Sequence, residues 1–177
     1  PIIGFQLPGC FAERALLPGI SLVKVDDRIS DSEAATLQSL SDSIAGVETA
    51  QIQPGDTVAI FGQGSMGIEC MQVARACGAG MLITVDVRDE ACQMSLALGA
   101  DHAINAKDND PVEAILELTK GEGADIVFEC AGGSVKQGLA GDRALKQAMF
   151  AVRSGGKLVG VSWFGTPLEL DIDIFRE

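Results

Sequence analysis

Three glycines at the start of a helix-like stretch have the spacing of a phosphate-binding loop. The loop reads Gly62-Gln-Gly-Ser-Met-Gly67 and follows an apolar, strand-like run. In this pattern Gly62 allows a tight turn, Gly64 lets the backbone approach a pyrophosphate, and Gly67 lets the helix pack closely on the strand. The free N–H groups of Ser65 and Met66, at the helix start, would then face the phosphates, and the helix dipole would assist binding.

An acidic residue stands where such a loop needs one, at the end of the next strand-like run. Asp86 follows Gly67 at the distance of about 20 residues at which a carboxylate accepts hydrogen bonds from an adenosine ribose. Its charge would repel a 2′-phosphate, which favours NAD over NADP. Arg88 could pair with a 2′-phosphate or lie flat against adenine. With Asp86 present, we expect Arg88 to stack or to be solvent-exposed.

The elements that must position these residues alternate regularly along the chain. The sequence predicts strands at 57–61, 81–86, 102–105, 125–130 and 157–163, with helices at 66–77, 89–98, 110–119 and 142–153. Alternation of this kind indicates right-handed βαβ units and a parallel sheet covered on both faces. We therefore expect an α/β, doubly wound parallel sheet of the Rossmann type, with its ligand at the carboxyl ends of the strands.

The first part of the chain has a different pattern. Residues 1–30 read as β-rich, with strand-like runs at 11–17 and 20–25 that have no obvious partners. A helix is predicted over 31–50, because Ser30 and Glu33 form a capping-box pattern before apolar residues at helical spacing. The expected domains are 1–30 and 31–177.

Composition excludes several classes of partner. The 177 residues carry a net charge of −12, which argues against nucleic acid and anionic membrane surfaces. No apolar run is long enough to span a membrane and no signal peptide is visible, so a cytoplasmic setting is the default. The five cysteines are widely spaced without a CxxC pair, and we expect buried thiols.

Several segments together resemble the medium-chain dehydrogenases, in the zinc-type branch of alcohol, polyol and threonine dehydrogenases. They are Gly9-Cys-Phe-Ala-Glu13, Gln53-Pro-Gly-Asp-Thr-Val-Ala-Ile-Phe-Gly62, Leu98-Gly-Ala-Asp101, Ala124-Asp-Ile-Val-Phe-Glu-Cys130 and Arg153-Ser-Gly-Gly-Lys-Leu-Val159. The resemblance implies hydride transfer between a small alcohol or carbonyl compound and NAD. It also implies that backbone groups contact the nicotinamide end of the cofactor, at Cys130, Ala131, Gly132, Val161, Ser162 and Trp163; Trp163 could equally fill the core.

The same resemblance implies that part of the family pattern lies outside this chain. The zinc ligands and most of the catalytic domain would precede it, so zinc is expected for the full-length family but no ligands lie in this chain. We assign no catalytic and no metal-binding residue, and we expect NAD binding without turnover. A sixth strand would follow 177. The last strand present would then have an uncovered edge, which is a liability or a pairing surface in a homo-oligomer.

Two rival functions and one loop stay open. The chain could be a non-catalytic dinucleotide-binding or redox-sensing module. A methyltransferase also uses a glycine loop and an acidic residue, although Gly67 and the family resemblance argue against it. The glycine-rich segment between Gly132 and Arg143 is either a mobile loop or a wall of the nicotinamide pocket.

Overall fold

A computed structural model describes residues 2–133 and 141–164 of the chain. It divides the chain into two compact units, Pro1–Ala35 and Thr36–Glu177. The glycine-rich segment predicted between Gly132 and Arg143 falls largely on residues 134–140, and the last residues of the chain are 165–177. Both segments lie outside the described residues.

The first unit contains little regular structure. It has an isolated bridge between Ile3 and Leu7, a 3-10 turn at Gly19–Ser21 and a short helix, α1, at Asp31–Ala34. The prediction of strands at 11–17 and 20–25 is wrong, because the structure has no strand at these residues. A strand needs a neighbouring strand to pair with, and no described strand pairs with these runs. Most of their large apolar side chains are exposed.

The helix predicted over 31–50 is two helices. Ser30 and Glu33 form the predicted capping box: the Ser30 hydroxyl accepts from the Glu33 N–H and the Glu33 carboxylate accepts from the Ser30 N–H. That first helix ends at Ala34, and α2 begins at Leu37 and runs to Ala50 in the second unit. The residue that follows α2, Gln51, caps its carboxyl end with a left-handed backbone, φ 54°.

The second unit is built on a parallel sheet. The elements after α2 are β1 Thr57–Phe61, α3 Ser65–Ala76, β2 Met81–Asp86, α4 Asp89–Ala97, β3 His102–Asn105, α5 Pro111–Leu118, β4 Ala124–Glu129, α6 Arg143–Ala151 and β5 Val152–Gly160. Five strands of the described chain pair in the order β3-β2-β1-β4-β5, all parallel. The predicted α/β doubly wound sheet is therefore confirmed. The strand order reverses between β1 and β4, so a crevice opens at the carboxyl ends of these two strands.

Alternate residues of each strand face two separate cores. Val58 and Ile60 pack with α2 and α3, whereas Ala59 and Phe61 pack with α5 and α6. This two-residue period is what a sheet covered on both faces requires. Helix α3 is also tied to α2, because the Glu69 carboxylate accepts from the Ser39 and Ser43 hydroxyls at 2.7 and 2.9 Å.

Of the five predicted strands that form the sheet, the last is the least accurate. Strand β5 begins at Val152 and ends at Gly160, rather than covering 157–163. Its pairing with β4 jumps from Ala124–Val152 to Ile126–Lys157, an irregularity that holds the turn-like residues around Gly155. Gly155 has φ of +69°, which explains why these residues read as a turn in the sequence.

Candidate functional site

The glycine loop joins β1 to α3 as predicted, and each glycine has a distinct steric setting. Gly62 has φ of +91°, and a Cβ there would lie 2.6 Å from the Ala131 backbone nitrogen. A Cβ on Gly67 would overlap the Gly62 carbonyl oxygen. Both positions therefore exclude larger residues for reasons internal to the fold.

Gly64 differs from the other two because space lies open beside it. A Cβ on Gly64 would meet no heavy atom within 4 Å, and its φ of −80° suits other residues too. Gly64 is the N-cap of α3 and supplies no side-chain cap. In the described chain, the first N–H groups of α3, at Ser65, Met66 and Gly67, thus lack an intrahelical partner. An anion could bind there.

Asp86 lies at the end of β2 beside this loop, and its side chain is only 6% exposed. Its carboxylate accepts the Gln63 N–H at 2.7 Å, which ties the acid to the glycine loop. The Arg88 guanidinium lies over the same carboxylate, with Nε 3.0 Å from Oδ1 and Nη2 3.1 Å from Oδ2. Nη2 of Arg88 also donates to the Gln63 carbonyl oxygen at 3.3 Å.

Arg88 is solvent-exposed, which is one of the two expected alternatives, with 56% of its side chain accessible. It also forms an ion pair with Asp86, which the sequence did not predict. The reason is local: Arg88 lies two residues from Asp86, and its own N–H also donates to Asp86 Oδ1 at 3.0 Å.

The charge state of Asp86 follows from these contacts. Burial raises the pKa of the Asp86 carboxyl, but hydrogen bonds from the Arg88 side chain and from the backbone N–H groups of Gln63 and Arg88 outweigh burial, so the pKa lies below its ordinary value. Asp86 is therefore a carboxylate at neutral pH.

A concave site of about 160 Å³ lies beside Asp86. Its walls come from the ends of β1 and β2 and from α6, and they include Phe61, Val85, Asp86, Ala131, Arg143 and Gln147. The apolar wall with a few polar groups suits a flat heterocycle. Sequence reasoning missed Arg143 and Gln147, because nothing in the α6 pattern indicates that its first turns reach the carboxyl edge of the sheet.

The turns after β4 and β5 lie against each other. The Gly133 N–H donates to the Trp163 carbonyl oxygen at 2.9 Å, and a Cβ on Gly132 would lie 2.5 Å from the Ser162 Cβ. Val161 packs on the α2 core, and a Cβ on Gly46 would lie 3.1 Å from it. Trp163 is 81% exposed, so it does not fill the core.

The cysteines are less uniformly buried than expected. Cys70 and Cys92 are buried and Cys130 is half-buried, but Cys10 and Cys77 are exposed. The Cys130 and Cys70 sulfurs are 4.0 Å apart. A hydrogen bond from Cys130 lowers the pKa of the Cys70 thiol, and the same contact raises the pKa of Cys130.

Two kinds of feature are absent from the part of the chain that the structure describes. Within residues 2–133 and 141–164, no group of three His, Cys, Asp or Glu side chains could hold a metal ion. No helix in the same ranges has the length and apolar character needed to cross a bilayer.

Glu129, at the end of β4, is a further residue beside the candidate site that the sequence did not single out. It is fully buried, and its carboxylate accepts the N–H groups of Ala131 and Gly132 at 3.0 and 2.8 Å. The Ser162 hydroxyl donates to its other oxygen. An acidic residue inside an otherwise apolar run was the available signal.

Comparisons with known proteins agree on one family. The zinc-binding dehydrogenase family model matches residues 65–176. Sorbitol dehydrogenase of Bacillus subtilis (strain 168) is 33% identical over 150 residues, which are 85% of this chain and 39% of that protein. The NAD-dependent alcohol dehydrogenase of Sulfurisphaera tokodaii is 32% identical over 169 residues, which are 94% and 46% of the two chains.

Solved structures give the same result. A protein of Sinorhizobium meliloti 1021, described as a zinc-binding dehydrogenase and bound to NADP, superposes with a TM-score of 0.86 at 27% identity, covering 98% of this chain and 50% of that one. Benzyl alcohol dehydrogenase of Acinetobacter calcoaceticus gives 0.74 at 28% identity, covering 87% and 41%. The chain spans half or less of each relative's length.

Proposed function

Because the chain belongs to the zinc-binding dehydrogenase family, we propose that its second unit binds NAD for hydride transfer between an alcohol carbon and the cofactor. The observation that carries the proposal is the open space at Gly64 beside the uncapped start of α3. The backbone can approach a pyrophosphate there, and the N–H groups of Ser65, Met66 and Gly67 can donate to it.

The adenosine end would lie along the end of β2. Asp86 is ionised and would accept the ribose hydroxyls, and adenine would enter the adjoining site of about 160 Å³. All strong acceptor positions of Asp86 are taken by Gln63 and Arg88. The ribose would therefore replace the side-chain donors of Arg88, whose guanidinium would be free to cover adenine.

The nicotinamide end would lie at the turns after β4 and β5. Backbone groups of Cys130, Ala131, Gly132, Val161, Ser162 and Trp163 would orient it, and the mutual contacts of the two turns support this role. When bound, the cofactor supplies a hydride acceptor at nicotinamide C4. This chain's residues supply orientation.

The described residues do not fit a zinc ion, so the proposal assigns no metal step to this chain. We propose that the 177 residues alone bind NAD without oxidising alcohols, since the relatives are about twice as long. The substrate would be a small alcohol or carbonyl compound. A cytoplasmic setting is supported by the free thiols of all five cysteines.

Self-association is a further part of the proposal. Strand β5 pairs with β4 and lies at the edge of the sheet formed by the described strands. An unpaired strand edge is a surface on which a second copy can dock. Sedimentation velocity should show a dimer, and a monomer at every concentration would refute this part.

A calorimetric titration tests the binding function. The chain is titrated with NAD, NADP and S-adenosylmethionine at fixed salt, and an NADH absorbance assay with alcohols runs in parallel. We expect binding of NAD in preference to the other two and no turnover. S-adenosylmethionine binding without NAD binding would support a methyltransferase instead, and alcohol oxidation by the pure chain would refute inactivity.

A further inference from the structure

Glu129 is a buried carboxylate at the junction of the two turns that follow β4 and β5. It is 0% exposed, and within residues 2–133 and 141–164 it forms none of the ion pairs found. Burying a carboxylate is costly unless several donors compensate it. Its three donors are the N–H groups of Ala131 and Gly132 and the hydroxyl of Ser162.

The same residue binds the second turn through its backbone. The Glu129 carbonyl oxygen accepts the N–H groups of Val161 and Ser162 at 2.9 and 3.1 Å. Glu129 thus contacts both turns. Its carboxylate accepts hydrogen bonds from the turn after β4, and its carboxylate and its carbonyl oxygen accept hydrogen bonds from the turn after β5.

These contacts fix which way the peptide groups of the first turn face. The described peptide bonds are trans, so the carbonyl oxygens of Cys130 and Ala131 point opposite to the N–H groups of Ala131 and Gly132. Those N–H groups point at the Glu129 carboxylate. The two carbonyl oxygens therefore face away from it, as a pair of hydrogen-bond acceptors at the carboxyl edge of the sheet.

We propose that Glu129 is a positioning residue for the nicotinamide end of the cofactor. By holding two N–H groups inward, it turns the Cys130 and Ala131 carbonyl oxygens outward to accept from the ribose hydroxyls or the carboxamide of the nicotinamide half. This inference rests on the proposed NAD function. It adds the residue that orients these backbone acceptors toward the donor groups of the nicotinamide riboside.

Glu129→Gln tests the role with little change in volume. The amide keeps one oxygen for the backbone N–H groups, but its NH2 cannot accept from the Ser162 hydroxyl. The remaining neutral amide oxygen also accepts the two N–H groups less strongly than a carboxylate does, so the first turn should be less firmly oriented. Ser162→Ala removes the same hydrogen bond from the other side and should act in the same direction.

The readout compares two ligands that share the adenosine half. NAD carries the nicotinamide and ADP-ribose does not, so their affinity ratio isolates the nicotinamide end. We expect Glu129→Gln to raise the Kd for NAD by about 5- to 10-fold, the effect of losing one well-placed hydrogen bond, and to leave the Kd for ADP-ribose within about twofold. Glu69→Gln is the matched control, since Glu69 also accepts from two serine hydroxyls. It should leave the ratio unchanged.

The other outcomes are distinct. An equal loss of both affinities, or a lower melting temperature with an unchanged ratio, would mean a purely structural role and would overturn the proposal. If the wild type binds NAD no tighter than ADP-ribose, the positioning role fails while dinucleotide binding stands. If it binds neither ligand, the proposed function fails as well.

Discussion

Gly64→Ala separates the phosphate-binding role of the glycine loop from its folding role. Gly64 has φ of −80° and ψ of −166°, a conformation open to alanine, and a Cβ there would meet no atom within 4 Å. The added methyl group fills only the space that the proposed pyrophosphate needs. The free energy of unfolding should stay within about 1 kcal/mol of the wild type, because reduced freedom of the unfolded chain offsets alanine's weaker N-cap preference.

The binding loss can be worked from packing. Forcing one methyl group into a close contact costs about 1–3 kcal/mol, and each 1.4 kcal/mol is about tenfold in affinity, so the Kd for NAD should rise about 5- to 150-fold. Calorimetry measures the Kd and urea unfolding measures stability. Gly19→Ala is the control, because its Cβ position is also open and its φ is not positive. A Gly64→Ala variant that binds NAD like the wild type would refute the close approach of the loop to the pyrophosphate.

Three other perturbations test neighbouring parts of the account. Gly67→Ala places a Cβ on the Gly62 carbonyl oxygen and should lower the melting temperature strongly; an unchanged melting curve would show that the loop can shift freely. Arg88→Met frees acceptor positions on Asp86 and should tighten NAD binding about two- to fivefold, as expected for one displaced hydrogen bond, whereas weaker binding in calorimetry would show that the contact of Arg88 with adenine outweighs its competition for Asp86. The carboxyls of Asp86, Asp101 and Asp125 have pKa values below the ordinary 3.8, so the stability they contribute is present above that pH and is lost as the pH falls through their native pKa values. Urea unfolding at a series of pH values should show this decline, and Asp101→Asn should flatten it.

The sequence predicts the central sheet well because its signals are local. Strands β1, β2 and β3 have the bounds expected from apolar runs between turn residues. The glycine spacing likewise places Gly62 and Asp86 at one edge, since parallel strands end together.

The failures have tertiary causes. The strand-like runs of the first unit lack partners, and propensity cannot replace the missing hydrogen bonds. Strand β5 carries an irregular insertion around Gly155 that reads as a turn. The Arg88–Asp86 pair and the Glu129–Ser162 contact depend on side-chain geometry that spacing does not encode.

Amide chemical-shift mapping of the ¹⁵N-labelled chain with NAD tests the central claim most directly. We expect the largest shifts at Gly64–Gly67, at Asp86 and Arg88, and at the turns after β4 and β5. Shifts confined to other surfaces, such as the amino ends of the strands, or no shifts at saturating NAD, would contradict it.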